Sequence, residues 1–138
     1  MKQNTEKSIF EKIVDREIPA TILYENDKYM AFLDAFPFEK GHLLVIPKKR
    51  YIHVWDMPED EYLELQKIVL KFAKKIRQEF NCGLNILQNN QKIAGQMVDH
   101  LHFHLIPRVE DKDIYTHPKP FEYSEEDKKE LQNILKID

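Results

Sequence analysis

The stretch HLHFHLIP, residues 100–107, places a histidine at every second position, at His100, His102 and His104. Alternate side chains of a β-strand point to the same face, about 6.6–6.8 Å apart, whereas residues two apart on a helix diverge. The pattern therefore predicts a strand that carries three imidazoles in a row on one face. The apolar side chains between them would fill the opposite face, towards the core.

The segments ahead of this row alternate between helical and strand-like patterns. Residues 8–15 space their apolar side chains as on one face of a short helix, and Ser8 with Glu11 forms a capping-box sequence. Three strands are predicted next, the first two as a hairpin and the third buried, at ATILYEN (20–26), KYMAFLDA (28–35) and GHLLVIP (41–47).

A long helix separates these strands from the last two. An apolar stripe predicts a helix from Pro58 to Phe80, with acidic residues in its first turn and a stop at Asn81 and Gly83. LNILQ (84–88) predicts the strand that precedes the histidine row.

The C-terminal part is predicted as a loop at 117–121 followed by a helix from Ser124 to about Lys136. The order of elements indicates an α+β domain, with a mainly antiparallel five-stranded sheet, a long helix, and shorter N- and C-terminal helices. We expect residues 1–138 to form a single domain.

Composition is typical of a globular protein. The chain of 138 residues is 42% hydrophobic and 33% charged, with a net charge of −3, which argues against a nucleic-acid partner. No apolar run approaches the roughly 20 residues of a membrane-spanning helix, and the N-terminus lacks the apolar region of a signal peptide. The single cysteine, Cys82, excludes an internal disulfide. We therefore expect a cytoplasmic protein that does not act at a membrane.

Three interpretations of the histidine row remain open. Alternation alone would allow a solvated strand face. In a zinc site, three alternate positions would span about 13 Å, too far for three nitrogens to reach one ion without sharp convergence, although two with a remote ligand remain an option. The third interpretation is nucleophilic and acid–base chemistry at phosphorus, since neutral imidazole is a good nucleophile at neutral pH.

The segment just before the row favours phosphate chemistry. Gly95, in AGQMV (94–98), allows the backbone to approach a ligand, and successive N–H groups in such a turn can bind an anion. Asn89 and Asn90, at the end of the preceding strand, add amide donors.

These residues resemble the histidine-triad (HIT) superfamily, whose signature is His-φ-His-φ-His-φ-φ with φ apolar, and in particular its HINT-like or bacterial type. Four stretches resemble successive blocks of the family in its own order: SIFEKIVDREIPA, YENDKYMAFLDAFP, KGHLLVIPKK and AGQMVDHLHFHLIPR. The resemblance covers roughly residues 8–108, and residues 109–138 are expected to form a C-terminal extension with a helix.

The resemblance implies a role for each histidine. His102 matches the nucleophile that attacks the α-phosphorus of a nucleotide and forms a nucleotidyl-histidine intermediate. His104 matches the residue that assists the leaving group, and His100 the one that orients the nucleophile and contacts phosphate. His42 matches a histidine behind the triad.

The resemblance also implies a binding site for a purine nucleotide such as AMP or a nucleotide conjugate. It consists of an apolar slot for the base, a carboxylate for the ribose and a phosphate-contacting loop: Ile9, Phe10, Ile13 and Phe32; Asp34; Asn89, Gly95, Gln96, Met97 and Val98. Without the family, the four apolar residues would be assigned to the core and Asp34 to a local turn cap.

The sequence departs from the family at several positions. Arg50 stands where many members have a histidine, and Met97 where many have serine or threonine. Ser8 and Glu11 replace the Cys-x-x-Cys that binds structural zinc in some bacterial members, so we predict no bound metal. We expect no other cofactor.

The function implied is that of a nucleotide hydrolase, with nucleoside phosphoramidates or nucleotidyl amines as the first candidate substrates. Dinucleoside polyphosphates are the alternative, and a nucleotide-binding regulator with incidental turnover is the alternative of another class. The resemblance also implies a homodimer that joins the sheets of two subunits, with the helix 58–80 near the interface.

Overall fold

The predicted helices and strands are present in the predicted order. The computed structural model describes residues 6–111 and 122–137. Their helices and strands are α1 (Ile9–Val14), β1 (Ile22–Glu25), β2 (Tyr29–Leu33), β3 (Leu43–Pro47), α2 (Glu59–Phe80), β4 (Gly83–Leu87), β5 (Phe103–Arg108) and α3 (Glu125–Leu135). Short 3₁₀ turns at Val54–Asp56 and Lys92–Ala94 lie in the loops before α2 and β5.

The strands form one five-stranded antiparallel sheet in the order β1-β2-β3-β5-β4, which confirms the α+β fold. β5 comes last in the chain but lies between β3 and β4, with His104 opposite Leu44 on one side and Leu87 on the other. The histidine segment therefore leads into the middle of the sheet, and β4 forms one edge.

Each face of the sheet carries its own apolar cluster. On one face α1 packs against the strands, and the cluster contains Phe10, Ile13, Met30, Phe32, Leu44 and Ile46. On the other face α2 and α3 cover a larger cluster, which includes the apolar residues between the histidines: Leu101, Phe103 and Leu105. The triad segment thus presents its apolar side chains to the core, as its alternation predicts.

The helix boundaries follow their local signals. The Ser8 hydroxyl accepts a hydrogen bond from Glu11 N–H at 3.0 Å, and the Glu11 carboxylate accepts one from Ser8 N–H at 2.9 Å, which confirms the capping box of α1. Pro58 is the N-cap of α2 rather than part of its first turn. Asn81 ends α2 in the left-handed conformation at φ 46°, whereas Gly83 opens β4.

The prediction of a strand through the whole histidine row is wrong at its start, because β5 begins at Phe103. β3 ends at Pro47, which has no N–H to continue the ladder. The Pro47 carbonyl accepts from the ring of His100 at 2.7 Å, and Leu101 N–H bonds to Tyr51 O at 2.7 Å. His100 therefore lies in an irregular segment, and its ring does not stand in the regular row of a strand.

The C-terminal helix is confirmed, with Ser124 as its N-cap, whereas the loop predicted at 117–121 lies outside the described residues. Leu131 and Leu135 of α3 are fully buried. The Gln132 side chain donates to Ile22 O at 2.7 Å, which ties α3 to β1. Within 6–111 and 122–137, no helix combines the length and the apolar character needed to cross a membrane.

Candidate active site

His100 and His102 are buried beside α1, and the partly buried His104 adjoins His102. The ring of Phe10 is edge-on to His100 and His102, at centroid distances of 5.7 and 5.0 Å, and the rings of His102 and His104 are 4.8 Å apart. Burial lowers the pKa of His100 to about 4 and that of His104 to about 3, and it also lowers the pKa of His102. All three are therefore neutral imidazoles at pH 7.

His100 has a partner at both ring nitrogens. Its Nε2 lies 2.7 Å from Pro47 O, which can only accept, so this nitrogen carries the proton. Its Nδ1 then accepts a hydrogen bond from the Ser8 hydroxyl at 2.8 Å. Both nitrogens are thus engaged within the protein, and the role left to this ring is to hold the triad segment against α1.

His102 is oriented by the backbone of His100. Its Nδ1 is 2.7 Å from His100 O, so Nδ1 carries the proton and donates it to this carbonyl. The lone pair of a neutral imidazole must then lie on Nε2. His102 therefore has the tautomer that a nucleophile requires, with an unprotonated nitrogen at the far side of the ring.

His42 sets the tautomer of His104, which is opposite to the tautomer of His102. The N–H of Phe38 donates to His42 Nδ1 at 2.9 Å, which places the proton of His42 on Nε2. That proton faces His104 Nδ1 at 2.9 Å, so His104 Nδ1 accepts and its proton lies on Nε2. The same burial that keeps His104 neutral acts on His42, whose pKa is lowered to about 4.

The two carboxylate oxygens of Asp34 face different partners, one a local turn and the other the pair of His42 and His104. One oxygen accepts from Phe36 N–H at 2.8 Å, and the other lies 3.4 Å from His42 Nε2. Burial raises the pKa of Asp34 to about 6, against the opposing effect of the Phe36 hydrogen bond. Asp34 thus caps the local turn with one carboxylate oxygen, and its other oxygen faces His42 in the site.

Asp34, His42 and His104 also form a geometric candidate for a metal site, because their ligand atoms lie within 4.8 Å of one another. This set differs from the expected option of two triad histidines with a remote ligand. Binding through His42 Nε2 would require its proton on Nδ1, where the Phe38 N–H already donates. Metal-binding histidines normally donate from the other nitrogen, so this arrangement suits proton transfer better than a cation.

Of the residues expected to contact phosphate, Gly95 and Gln96 use their backbone N–H groups within the loop of residues 91–98. Gly95 N–H donates to Lys92 O and Gln96 N–H to Gln91 O, at 3.0 and 3.1 Å, so both are used within the loop. The buried Gln96 side chain accepts from Gln91 N–H and donates to Ile52 O, both at 2.7 Å. Gln96 is thus the anchor of the loop.

Two other amides of this loop remain available to an anion. Within the described ranges, no hydrogen bond is made by the backbone N–H of Met97 or Val98. The Met97 side chain is 86% exposed. Its backbone N–H is the same donor that a serine would offer at this position, so the departure from the family removes only the side-chain hydroxyl. Asn89 lies across the loop, with its amide nitrogen 3.4 Å from Gly95 O.

Gln91 is held in a conformation that normally requires glycine, at φ 73° and ψ 154°. We expect Gln91→Gly to raise the free energy of unfolding by about 1 kcal/mol, because relief of about 1–3 kcal/mol of strain exceeds the entropic cost of glycine. Urea denaturation measures the change. Lys92→Gly, at an exposed neighbour without positive φ, is the control and should destabilise. If Gln91→Gly were less stable than wild type, the backbone at Gln91 would not be strained.

The predicted apolar slot is brought together only in part. Phe10, Ile13 and Phe32 belong to one buried cluster, with the rings of Phe10 and Phe32 5.5 Å apart. Ile9 is 48% exposed and lies outside that cluster. A cavity of about 500 Å³ opens beside Ile13; its other lining residues are Arg16, Glu17, Ile18, Pro19, Ala20 and Ile22. Those lining residues were not predicted, since they resemble ordinary loop and edge-strand positions.

Arg50 is directed to the protein and not to a ligand. Its guanidinium donates to Asp99 O at 2.8 Å and to Glu6 O at 2.6 Å, and lies 3.6 Å from the Glu11 carboxylate. The Arg50 side chain is 14% exposed. Arg50 therefore ties the N-terminal segment and α1 to the residue just before the triad, a role that sequence alone does not reveal.

Comparison with known proteins identifies the family. A sequence model of the HIT domain matches residues 15–111. An uncharacterised HIT-like protein of Methanocaldococcus jannaschii is 47% identical over 102 residues, which cover 74% of this chain and 79% of that protein. The adenosine 5′-monophosphoramidase HNT1 of Candida albicans is 40% identical over 108 residues, covering 75% and 71% respectively.

The fold agrees with that assignment. The crystal structure of a HIT-like protein of Bartonella henselae superposes with a TM-score of 0.86 at 33% identity, covering 97% of each chain. The sheet order and the central position of the histidine segment are accordingly features of a known architecture. The chain belongs to the histidine-triad (HIT) family.

Proposed function

We propose that this protein hydrolyses nucleoside 5′-phosphate derivatives at the α-phosphorus, with purine phosphoramidates or nucleotidyl amines as its substrates. The observation that carries the proposal is the pair of opposite tautomers on adjacent rings, a lone pair on His102 Nε2 and a proton on His104 Nε2, 4.8 Å apart between centroids. Cleavage of a P–N bond needs a nucleophile at phosphorus and a proton for the amine. The phosphoramidase activity of the Candida albicans relative supports this choice.

In the first step, His102 Nε2 forms a bond to the α-phosphorus while the bond to the leaving nitrogen breaks. The leaving nitrogen takes the proton from His104 Nε2 and the amine departs, while His42 Nε2–H, 2.9 Å from His104 Nδ1, stabilises the ring that has lost its proton. His102 becomes cationic in the nucleotidyl adduct, and its positive charge, on a ring 4.8 Å away between centroids, favours the loss of the proton from the His104 ring. The acid is thus strongest when the amine needs the proton.

In the second step, water attacks the phosphorus and the P–N bond to His102 breaks. The water gives one proton to His104 Nε2, which restores the starting tautomer, and the product is a nucleoside monophosphate. The burial of His100 and His102 favours this sequence at its start, because it keeps both rings neutral and so leaves the His102 lone pair available for attack.

The nucleotide would span three groups around the triad. The N–H groups of Met97 and Val98 and the amide of Asn89 suit the phosphate, and the second oxygen of Asp34 suits the ribose hydroxyls. The base would lie against the cluster of Phe10, Ile13 and Phe32, of which Ile13 also lines the cavity of about 500 Å³.

The test compares turnover of an adenosine phosphoramidate with turnover of a diadenosine polyphosphate by the wild-type protein. We expect faster release of AMP from the phosphoramidate. Preference for the polyphosphate would favour the alternative substrate class. Tight AMP binding with no turnover of either compound would favour the regulator and contradict the enzyme proposal.

Adenosine binding should weaken as the pH falls from 7 to 5. Only the ionised form of Asp34 accepts hydrogen bonds from both ribose hydroxyls, and its raised pKa of about 6 lies within this range. The nearby histidines, with pKa values of about 4 and 3, stay neutral throughout. Calorimetry with adenosine, which has no phosphate to titrate, measures the change. Affinity that is constant between pH 5 and 7 would remove Asp34 from the ribose site.

We further propose that the protein is a homodimer joined through β4 and α2. β4 is an edge strand, and its Ile86 is exposed. On α2, Leu63 and Leu70 are also exposed, seven residues apart on one side of the helix. Light scattering at micromolar concentration tests this, and a monomeric mass would refute it.

A further inference from the structure

Tyr123, just ahead of α3, reaches the turn between β2 and β3. Its hydroxyl accepts a hydrogen bond from Gly41 N–H at 2.9 Å and donates to Glu39 O at 3.3 Å. The side chain is half-buried and packs against the larger apolar cluster. One hydroxyl therefore satisfies two backbone groups of this turn.

The same turn determines the tautomer of His42. Glu39 O also accepts from His42 N–H at 3.0 Å, and Phe38 N–H donates to the ring of His42 at 2.9 Å. The turn requires glycine at residue 41, because Gly41 has φ +92° and a Cβ there would lie 3.2 Å from Pro107 Cγ. Loss of the Tyr123 hydroxyl would therefore displace the Phe38 amide, which is two peptide groups away from Glu39 O.

We propose that Tyr123 is a positioning residue for the triad: its hydroxyl holds the turn at residues 38–42 so that Phe38 N–H meets His42 Nδ1 and the proton of His104 lies on Nε2. The inference rests on the proposed function, since it assigns a purpose to the acid tautomer of His104. Tyr123 lies beyond residues 15–111, where the HIT domain matches, so the C-terminal extension takes part in the site.

Without the hydroxyl, Gly41 N–H loses its partner, Glu39 O keeps only the hydrogen bond from His42 N–H, and the turn relaxes. His42 can then exchange its two tautomers, and with its proton on Nδ1 it no longer donates to His104. His104 would carry its own proton on Nδ1 for part of the time, and its Nε2 would then accept rather than donate. Hydrolysis would slow for a substrate whose leaving group needs a proton. It would keep its rate for a substrate whose leaving group departs as a stable anion.

The first measurement uses the protein without a ligand. Imidazole ¹⁵N shifts report the protonated nitrogen of each histidine in wild type and in Tyr123→Phe. We expect wild type to show His42 and His104 each protonated at Nε2, and the variant to show both rings as mixtures in which the Nε2-protonated form is the minor one. Wild-type shifts retained in the variant would overturn the inference.

The second measurement compares two substrates with different leaving groups, an adenosine phosphoramidate and the p-nitrophenyl ester of AMP. We expect Tyr123→Phe to lower kcat about tenfold or more for the phosphoramidate, with KM unchanged, and to leave the ester within about twofold. Equal losses on both substrates would indicate a merely structural role and would overturn the inference.

Tyr29→Phe is the matched control. The Tyr29 hydroxyl donates to Glu61 O at 3.0 Å, so the variant also loses one hydroxyl-to-backbone hydrogen bond, but at α2 and away from His42. Tyr29→Phe should retain the wild-type tautomers of His42 and His104, and the wild-type ratio of kcat for the phosphoramidate to kcat for the ester. If wild type hydrolyses neither compound, the proposed function fails, while the ¹⁵N shifts still decide whether Tyr123 sets the tautomers.

Discussion

Replacement of His102 by asparagine will lower kcat for an adenosine phosphoramidate by about 10⁴-fold or more, with AMP binding close to that of wild type. The Nε2 lone pair is the attacking group, and removal of a catalytic nucleophile typically costs rates of this size. Asparagine keeps a side-chain N–H that can donate to His100 O, as His102 Nδ1 does at 2.7 Å. Initial rates and equilibrium binding of AMP measure the two effects separately.

His53→Asn is the control for this substitution. His53 lies beside Trp55 and Asp56 on the loop before α2, and its loss should leave kcat within about twofold. Wild-type protein quenched during turnover should carry one nucleotidyl group that mass spectrometry locates on His102. Turnover by His102→Asn at the wild-type rate would exclude the covalent mechanism.

Replacement of Arg50 by alanine will lower the free energy of unfolding by about 2–4 kcal/mol, because it leaves the carbonyls of Glu6 and Asp99 and the Glu11 carboxylate without this largely buried cation. We expect kcat to fall as well, since α1 and the triad segment lose one of their ties. Urea denaturation followed by circular dichroism measures the stability.

Lys49→Ala is the matched control for Arg50, because Lys49 is exposed and lies over the ring of Tyr51 at 5.2 Å. It should change stability by less than about 1 kcal/mol. If Arg50→Ala instead kept its stability and lost affinity for AMP, Arg50 would be an anion contact and not a tie between α1 and the triad segment.

Local patterns account for most of the architecture. The capping box at Ser8 and Glu11, the stop at Asn81 and the apolar stripe of α2 each depend on residues within one or two turns, so the elements could be assigned without a structure. The strand at the histidine row is the exception. Its start depends on the end of β3 at Pro47, which is 53 residues away from His100.

The sequence by itself determined the elements, the alternation that buries Leu101, Phe103 and Leu105 behind the histidines, and the membership of the family that the comparisons confirm. The tertiary structure alone decided the protonation pattern of the site. Ser8 meets His100 across 92 residues, His42 meets His104 across 62, and Tyr123 meets Gly41 across 82. A tautomer is set by the partner at the other ring nitrogen, and such a partner is known only when the chain has folded.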